Sequence, residues 1–440
     1  MHADDPRLIG NPVLLQPDYQ SKGQPLVIHL DGAEYTQGHD SITTLQWSLL
    51  GSAGFSWTSI CFVMGLPKKC IAVQAKHFAD TWRTAWPHVA KSFNILFWGF
   101  DPELPVGENL IANGEIFGFV FLVCADHDAL TKDFKCPHCN SENPCIFCPA
   151  SRNGRLNIRD LRKNAGWKAE VFTPAQVEGR RPTNHAIWDI LGVSRFSIGV
   201  EQMHTLEYGP TVNLLGSSIF ELVHHGPYGG TLDENMNRFN GDLAEEYDLQ
   251  GTRYRIAQIT RSMFEQKNHF ACLGHIRASE ARALVPVILA LCRKYNNGSD
   301  HDLHRLLALS CLNQMYSIIM PSGHFLTEEQ SSHLLELCDL FLLHYNWLTN
   351  DALSSGRKLY NITYKTHMIW HMCAMAKYLN CRSSWAYGFE NFMGKISRSA
   401  HAVINGTPVV QVGGKLAKNY LMALEIELRQ MDPTRRIPHL

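Results

Sequence analysis

The stretch Pro25-Leu-Val-Ile-His-Leu-Asp31-Gly32 predicts the first strand of a sheet and is the starting point for assigning the fold. Its apolar residues recur at every second position from Leu26 to Leu30, and the Asp31-Gly32 pair is a turn signal at its end. Two further runs of strand-forming residues follow at 41–50 and 56–66. Connections this short favour an antiparallel meander of three strands.

A second apolar stretch, Ile116-Phe-Gly-Phe-Val-Phe-Leu-Val-Cys-Ala125, predicts a strand that is buried on both faces. Before it, residues 77–98 change to the period of an amphipathic helix, in which Pro87 predicts a kink or a second start. A short fifth strand is predicted at 196–200. The element order therefore predicts an α/β protein with a mixed five-stranded sheet and helices on its faces.

Two aspartates follow the first and fourth strands, Asp31 and Asp126, and Asp128 lies two positions further on. Taken singly, an aspartate before glycine is an ordinary turn residue, and one after a strand is an ordinary cap. At the ends of adjacent central strands, however, two carboxylates can hold divalent cations for two-metal phosphoryl transfer. Asp128 is a weaker rival to Asp126 for this role.

Four of the thirteen cysteines lie in the motif Cys136-Pro-His-Cys139-x5-Cys145-Ile-Phe-Cys148. Each C-x2-C pair can bind one metal from a tight turn, and four thiolates form a closed tetrahedral zinc site. The motif therefore predicts a structural zinc knuckle, and the alternative is four free thiols in a loop. The other cysteines lie in apolar contexts, and we expect buried thiols rather than a disulfide framework.

Two histidines and one short segment are further candidates. His367 and His371 lie one helical turn apart and could share a metal, but the residues between them lack the glutamate of an H-E-x-x-H protease. A structural role beneath the acidic site, a contact to a nucleic-acid phosphate and a proton-transfer role are the alternatives. In the segment Glu201-Gln-Met-His204, Glu201 is more often a surface or supporting acid than a metal ligand.

The second half of the chain is predicted to be mainly helical. From about 240 to 360, apolar residues recur at helical spacing, and Thr327-Glu-Glu-Gln330 fits a capping box. We expect an all-helical insertion that packs mainly on itself. The predicted segments are 1–24 (tail), 25–135 (first part of the core), 136–150 (zinc knuckle), 151–195 (irregular connector), 196–226 (core continuation), 227–361 (helical insertion), 362–400 (last core helix) and 401–440 (C-terminal extension).

Composition narrows the class of protein. Of the 440 residues, 45% are hydrophobic and 18% are charged, which is enough apolar material for a sizeable core and too little charge for a disordered protein. The formal net charge of −1 neither supports nor excludes a nucleic-acid partner, because a local basic patch would suffice. No signal peptide is expected, and the longest apolar runs hold about ten residues where a membrane span needs about 20.

Five short segments together resemble the catalytic core of cut-and-paste DNA transposases of the CACTA and Plavaka type, a DDE-type RNase H-like fold interrupted by a large helical insertion. Their order and spacing carry the resemblance, which spans most of the chain. The family has aspartate where this chain has Glu201, and it carries a DNA-binding region ahead of the core, where this chain has residues 1–24. The segments are Leu30-Asp31-Gly32, Ala125-Asp126-His127-Asp128 before the C-x2-C element, Glu201-Gln-Met-His204 with Leu215-Gly216, Lys365-x-His367-x3-His371, and Trp385-x4-Glu390.

The resemblance implies a transposase, or a protein derived from one, that cleaves DNA with water and joins the freed 3′-hydroxyl to a new strand. Asp31, Asp126 and Glu390 would then hold two Mg²⁺ or Mn²⁺ ions, and zinc would be structural. DNA as partner and a nuclear location are also implied, and a homo-oligomer is left open. The competing hypothesis is a catalytically inactive, domesticated protein that binds nucleic acid or protein.

The last predicted acid, Glu390, needs a reason to meet the aspartates, because it lies more than 260 positions after Asp126. Trp385, Phe389 and Phe392 form an apolar face that would dock their helix, predicted at 384–400, against the sheet. Glu390 would then lie near the edge of that face and lean toward the strand ends.

Overall fold

The computed structural model describes residues 4–36, 40–52, 57–71, 81–101, 103, 116–125, 127–132, 134–181, 185–265, 268–432 and 434. Within these ranges the chain is a mixed α/β protein with one sheet and many helices. All thirteen cysteines lie in the described ranges, and none of them forms a disulfide.

Four strands of the described residues form one mixed sheet, in the order β3-β2-β1-β4. The strands are β1 (Gly23–Glu34), β2 (Ser41–Leu49), β3 (Ile60–Pro67) and β4 (Phe117–Ala125). β2 is antiparallel to both β1 and β3, which confirms the predicted meander. β4 runs parallel to β1 and is buried along its whole length, as a strand covered on both faces should be.

The predicted fifth strand at 196–200 is a single bridge and not a strand. Ile198 pairs with Val123 of β4 in parallel, and the Gly199 N–H donates to the Val123 carbonyl at 3.0 Å. Residues Arg195–Ser197 form a 3-10 turn just before it. Because a ladder needs extended backbone on both sides of each bridge, the tight turn stops the pairing after one residue.

The helices of the described residues vary from one turn to 27 residues. A π-helix, Met203–Thr211, runs directly into α6. The α-helices are α1 (Tyr19–Lys22), α2 (Thr81–Trp98), α3 (His127–Lys132), α4 (Gly166–Ala169), α5 (Pro174–Glu178), α6 (Val212–His224), α7 (Leu232–Leu249), α8 (Arg261–Phe264), α9 (Ala278–Lys294), α10 (Asp300–Ile319), α11 (Glu328–Ser354), α12 (Tyr364–Met375), α13 (Tyr387–Val403) and α14 (Val409–Met431).

The chain forms two compact units. The first unit (1–136, 173–201 and 383–440) contains the sheet, with α2 packed on β4, α14 on β3 and α13 on β1. In α2, Trp86 and Phe93 are almost fully buried in the sheet core, and each such side chain contributes about 1.5–3 kcal/mol through burial. Pro87 lies inside α2, which is one continuous helix element.

The second unit comprises 137–172 and 202–382 and is built from helices α6 to α12 with the irregular segment before α5. α10 and α11 pack side by side, and the predicted capping box at the start of α11 is present, with Gln330 N–H donating to Thr327 Oγ1 at 3.1 Å. This unit includes more of the chain than the predicted insertion at 227–361, because α6 packs on α9 and α12 packs on α11.

The predicted tail at 1–24 is largely folded where it is described. Leu8 and Val13 are fully buried, and the Asn11 side chain donates to the Gly192 carbonyl at 3.0 Å. The Arg7 guanidinium lies 4.4 Å from the ring centre of Phe121 in β4. The segment was misjudged because its apolar residues are too few and too irregular to show a period.

Candidate functional site

Four buried metal-binding side chains meet in the second unit: Cys145, Cys148, His367 and His371. Their ligand atoms all lie within 4.8 Å of one another. The Cys145 Sγ–His371 Nε2 and Cys148 Sγ–His367 Nε2 distances are both 3.4 Å, and the two Nε2 atoms are 3.2 Å apart. This set of side chains could bind a metal ion such as zinc in a Cys2His2 site.

Two local patterns place these ligands. Cys145 and Cys148 flank a turn in which the Phe147 N–H donates to Cys145 Sγ at 3.4 Å. His367 and His371 are four residues apart on α12, so their side chains project from one face of the helix. The turn therefore sets the spacing of the two cysteines, and the helix sets the spacing of the two histidines. Each of these spacings is local and does not depend on how the two segments pack together.

The geometry fits a zinc ion. Zn–S bonds are about 2.3 Å long and Zn–N bonds about 2.0–2.1 Å. In a tetrahedral site, two ligand nitrogens are therefore about 3.3 Å apart, and a nitrogen and a sulfur about 3.6 Å apart. The distances in the structure are slightly shorter than these. Four protein ligands leave no open position on the ion, so a metal bound there is structural and not catalytic.

The electrostatics of the site also suit a metal. Burial opposes ionisation of Cys145, but Cys148, His371 and His367 outweigh it and hold the pKa of this thiol well below its ordinary value. Burial lowers the pKa of His367, which keeps the ring neutral. Thiolate and neutral imidazole are the forms that bind zinc. Trp167 shields the site from one side, with its ring centre 4.2 Å from that of His367.

Two of the four cysteines predicted as zinc ligands, Cys136 and Cys139, are not part of this cluster, which contains His367 and His371 instead. Cys136 lies in the first unit, where its Sγ accepts a hydrogen bond from Arg195 at 3.3 Å. Cys139 Sγ lies 3.9 Å from Nδ1 of the adjacent His138. The two cysteines are not needed for a closed site, because Cys145, Cys148 and the two histidines would supply all four ligands of a tetrahedral zinc ion.

The first predicted catalytic acid, Asp31, lies within β1 and not after its end. Its cross-strand partner is Thr44 of β2, and its half-buried side chain shares a strand face with His29. Ala125, the last residue of β4, pairs with the preceding Leu30. The predicted second acid, Asp126, and the side chain of its rival Asp128 lie outside the described residues.

The helix that carries Glu390, α13, packs on β1. Phe389 stacks on His29, with ring centroids 4.6 Å apart. One turn further along, Met393 Sδ contacts Thr44 Oγ1, the cross-strand partner position of Asp31. The predicted docking of this helix against the sheet is therefore confirmed for Phe389.

Further turns of α13 continue along the same strand. Ser397 Oγ donates to the Glu34 carbonyl at 2.6 Å, so the helix contacts β1 on both sides of Asp31. Glu390 is half-buried in the first turn of the helix. Two acids 359 positions apart in the chain thus lie on elements that are in direct contact.

Glu201 supports the start of α13. It is 3% exposed, and its Oε1 accepts a hydrogen bond at 2.7 Å from the backbone N–H of Ala386, the N-cap residue of that helix. A carboxylate at this end also interacts favourably with the helix dipole. His204, the last residue of the same predicted segment, lies in the second unit, in the π-helix beside Tyr208.

A buried charge network in the second unit was missed by the sequence reasoning. The Glu221 carboxylate accepts hydrogen bonds from His301, Arg305, Arg357 and Tyr360, at 2.8, 3.0, 2.7 and 2.5 Å. Burial alone would raise the pKa of this carboxyl, but hydrogen bonding from His301 and the charges of His301 and Arg305 lower it to about 2. All four partners lie at least 80 positions after Glu221 in the chain, so no local sequence motif predicts the network.

The chain matches none of the known protein families with which it was compared, and no curated protein matches it either. None of the described helices is long and apolar enough to span a membrane. The inference of function therefore rests on the Cys2His2 cluster and on the acids carried by β1 and α13.

Proposed function

We propose that the protein is a DDE-type, transposase-like enzyme with an RNase H-like core, which cleaves DNA and joins strands by two-metal phosphoryl transfer. Its acids are Asp31, Asp126 and Glu390, whose carboxylate oxygens are the ligands that Mg²⁺ or Mn²⁺ prefers. Two such cations supply activation of the attacking oxygen and stabilisation of the leaving oxygen. The protein's own contribution is to fix Asp31 on a strand and Glu390 on a helix, so that positioning supplies the catalysis.

The packing of α13 along β1 carries this proposal. The contacts of Phe389 with His29 and of Ser397 with Glu34 lie on either side of Asp31, and Glu390 follows Phe389 directly. A strand–helix pair of this kind holds carboxylates more rigidly than two surface loops would.

The order of the strands supports the core assignment. β1 and β4 are adjacent and parallel, with Leu30 opposite Ala125, so the sheet brings together the strand that contains Asp31 and the strand that Asp126 follows in sequence. A fifth strand of an RNase H-like sheet would add at the β4 edge, and the single bridge of Ile198 to Val123 at that edge is consistent with this proposal. DNA as the partner and a nuclear location belong to the same proposal.

The intact Cys2His2 cluster argues against a degenerate transposase remnant that has lost its structural residues. Its four ligands come from segments more than 200 positions apart, and all four are buried. A structural zinc there stabilises the second unit and takes no part in the cleavage reaction.

The test is cleavage of supercoiled DNA with Mg²⁺ or Mn²⁺, using Asp31→Asn and Glu390→Gln. Loss of a metal ligand removes several kcal/mol of transition-state stabilisation, so we expect nicking to fall by about three orders of magnitude in each variant. Asp18→Asn and Glu336→Gln are matched controls, because these side chains are 65% and 72% exposed and make only weak ion pairs.

Two results would contradict the proposal. If the purified protein shows no metal-dependent nicking above that of Asp31→Asn, the catalytically inactive, domesticated alternative becomes the better description. If both active-site variants cleave as well as their controls, the observed nuclease does not use these acids.

A further inference from the structure

An exposed basic segment lies beside the Cys2His2 centre, at residues 151–163 (the basic segment). It holds five basic residues and one acidic residue in thirteen positions, a net charge of +4, whereas the whole chain carries −1. All five basic side chains are exposed: Arg152, Arg155, Arg159, Arg162 and Lys163. The positive charge of this chain is therefore concentrated locally, as contact with a polyanion requires.

The basic segment has a fixed shape. Ser151 N–H donates to the Leu156 carbonyl at 2.9 Å, and Ile158 N–H donates back to the Ser151 carbonyl at 2.8 Å, which closes a short loop. Ile158 and Leu161 are 7% and 0% exposed, so their buried side chains anchor the segment to the second unit. The charges thus stand on a framework that does not need to be ordered on binding.

The protein's own acids form ion pairs with two of the five basic side chains of the segment, Arg155 and Arg162. Arg155 forms an ion pair with Glu170 at 3.0 Å, but both side chains are largely exposed, and such pairs contribute little. Arg162 is held more firmly, because it forms a two-point ion pair at 2.9 and 2.8 Å with Asp160, whose side chain is 20% exposed. The side chains of Arg159 and Lys163 make no hydrogen bond or ion pair with the described residues. A partner's phosphates can therefore engage the segment at low cost.

The metal centre supports the basic segment through one side chain. Trp167 Nε1 donates to the Asp160 carbonyl at 2.7 Å, and its ring lies 4.2 Å from His367 and 5.7 Å from His371. Trp167 therefore packs on both histidines of the cluster while it holds the backbone of the basic segment.

We propose that residues 151–163 bind the phosphate backbone of double-stranded DNA without reading its sequence. Arginine and lysine in irregular turns suit phosphate contacts, whereas reading bases in the major groove needs a helix or a two-stranded ribbon. The choice of DNA among polyanions rests on the proposed function; the site itself rests on the charge and geometry above.

The test uses the zinc-loaded 440-residue chain and a fluorescent DNA duplex of mixed sequence, with affinity followed by anisotropy from about 50 to about 200 mM salt. The variant is Arg159→Gln with Lys163→Gln. The slope of log K against log salt is negative, and each lost phosphate contact makes it shallower by about 0.9. We therefore expect the slope to become about 1.8 less steep and the affinity to fall at least about tenfold. Arg253→Gln with Arg293→Gln removes the same charge from exposed positions in the same unit and should change the affinity less than about twofold.

Several outcomes overturn this inference. They are a wild-type slope and affinity in the Arg159/Lys163 variant, an equal loss in the control variant, and tighter binding of a matched RNA duplex or of anionic vesicles than of DNA. Zinc content and circular dichroism must be unchanged in both variants.

The same assay separates this inference from the proposed catalysis. Asp31→Asn should bind the duplex like the wild type while it loses nicking. If no form of the protein nicks DNA but the Arg159/Lys163 variant still loses binding, the DNA surface stands and the catalytic proposal fails.

Discussion

Phe389 stacks on His29 with ring centroids 4.6 Å apart and ring planes 5° from parallel. His29 lies two residues before Asp31 on the same face of β1, and Phe389 directly precedes Glu390. Both rings are buried, at 1% and 6% exposure, and such a pair contributes about 0.5–1.5 kcal/mol beyond the burial of its area. This contact joins the helix of one proposed catalytic acid to the strand of another.

Removing the Phe389 ring should loosen that junction. Phe389→Ala leaves a cavity against His29 and should lower the free energy of unfolding by about 3–5 kcal/mol, measured by urea denaturation. Phe389→Leu should fold with a smaller loss and still nick DNA more slowly than the wild type, because α13 would settle differently on β1. Phe100→Ala, at an exposed phenylalanine, should change stability by less than about 0.5 kcal/mol. A Phe389→Ala protein as stable as the wild type would contradict the packing described.

Substitution of Glu201 distinguishes a supporting residue from a metal ligand. Glu201→Gln keeps an oxygen that can accept from the Ala386 N–H, so we expect near wild-type nicking. Glu201→Ala leaves that buried N–H unpaired and should cost about 1–3 kcal/mol of stability, seen as a lower melting temperature. Loss of nicking in a stably folded Glu201→Gln protein would show instead that the carboxylate charge takes part in the site.

Elemental analysis separates the Cys2His2 centre from the four-cysteine knuckle. The wild type should contain one zinc equivalent, and so should Cys136→Ser combined with Cys139→Ser. Cys145→Ser or Cys148→Ser should lose most of the zinc and lower the melting temperature, because binding of a structural zinc supplies about 10–16 kcal/mol in small domains. Zinc loss in the Cys136/Cys139 variant would restore the four-cysteine assignment.

The Glu221 network should make stability depend on pH at both ends. The pKa of Glu221 is lowered from 4.5 to about 2, so its contribution, about 3 kcal/mol, is present above pH 4.5 and is lost as pH falls toward 2. Burial lowers the pKa of His301, but Glu221 and Asp351 outweigh it and raise that pKa above 6.5. The contribution of His301 is therefore full below pH 6.5 and is lost as pH rises through its raised pKa.

Urea denaturation across this pH range tests the histidine component. We expect wild-type stability to fall above pH 6.5 and expect His301→Asn to lack this fall. His333→Asn, at a half-exposed histidine 3.8 Å from Glu336, should keep it. Parallel curves for the wild type and His301→Asn would assign the effect to other groups.

Much of the sheet could be predicted from the sequence because its signals are local. Alternating apolar residues from Leu26 to Leu30 and the unbroken apolar run ending at Ala125 gave β1 and β4 to within three residues at their starts, and short connections gave the meander. The end of β1 was misplaced, since the chain stays extended through Asp31-Gly32 to Glu34 while paired to β2. A turn signal was overridden there by the ladder of hydrogen bonds.

Local sequence patterns are enough to predict the four strands, most helices and two metal-binding half-motifs, because each depends on residues within a few positions of one another. The meeting of Cys148 with His367, 219 positions away, and of Phe389 with His29 depends on the tertiary structure. The C-x2-C and H-x3-H spacings are both typical of a Cys2His2 site, yet spacing cannot show which half-motifs meet. That choice depends on how α12 and α13 pack against distant segments, and packing is set by the shape and burial of many side chains together.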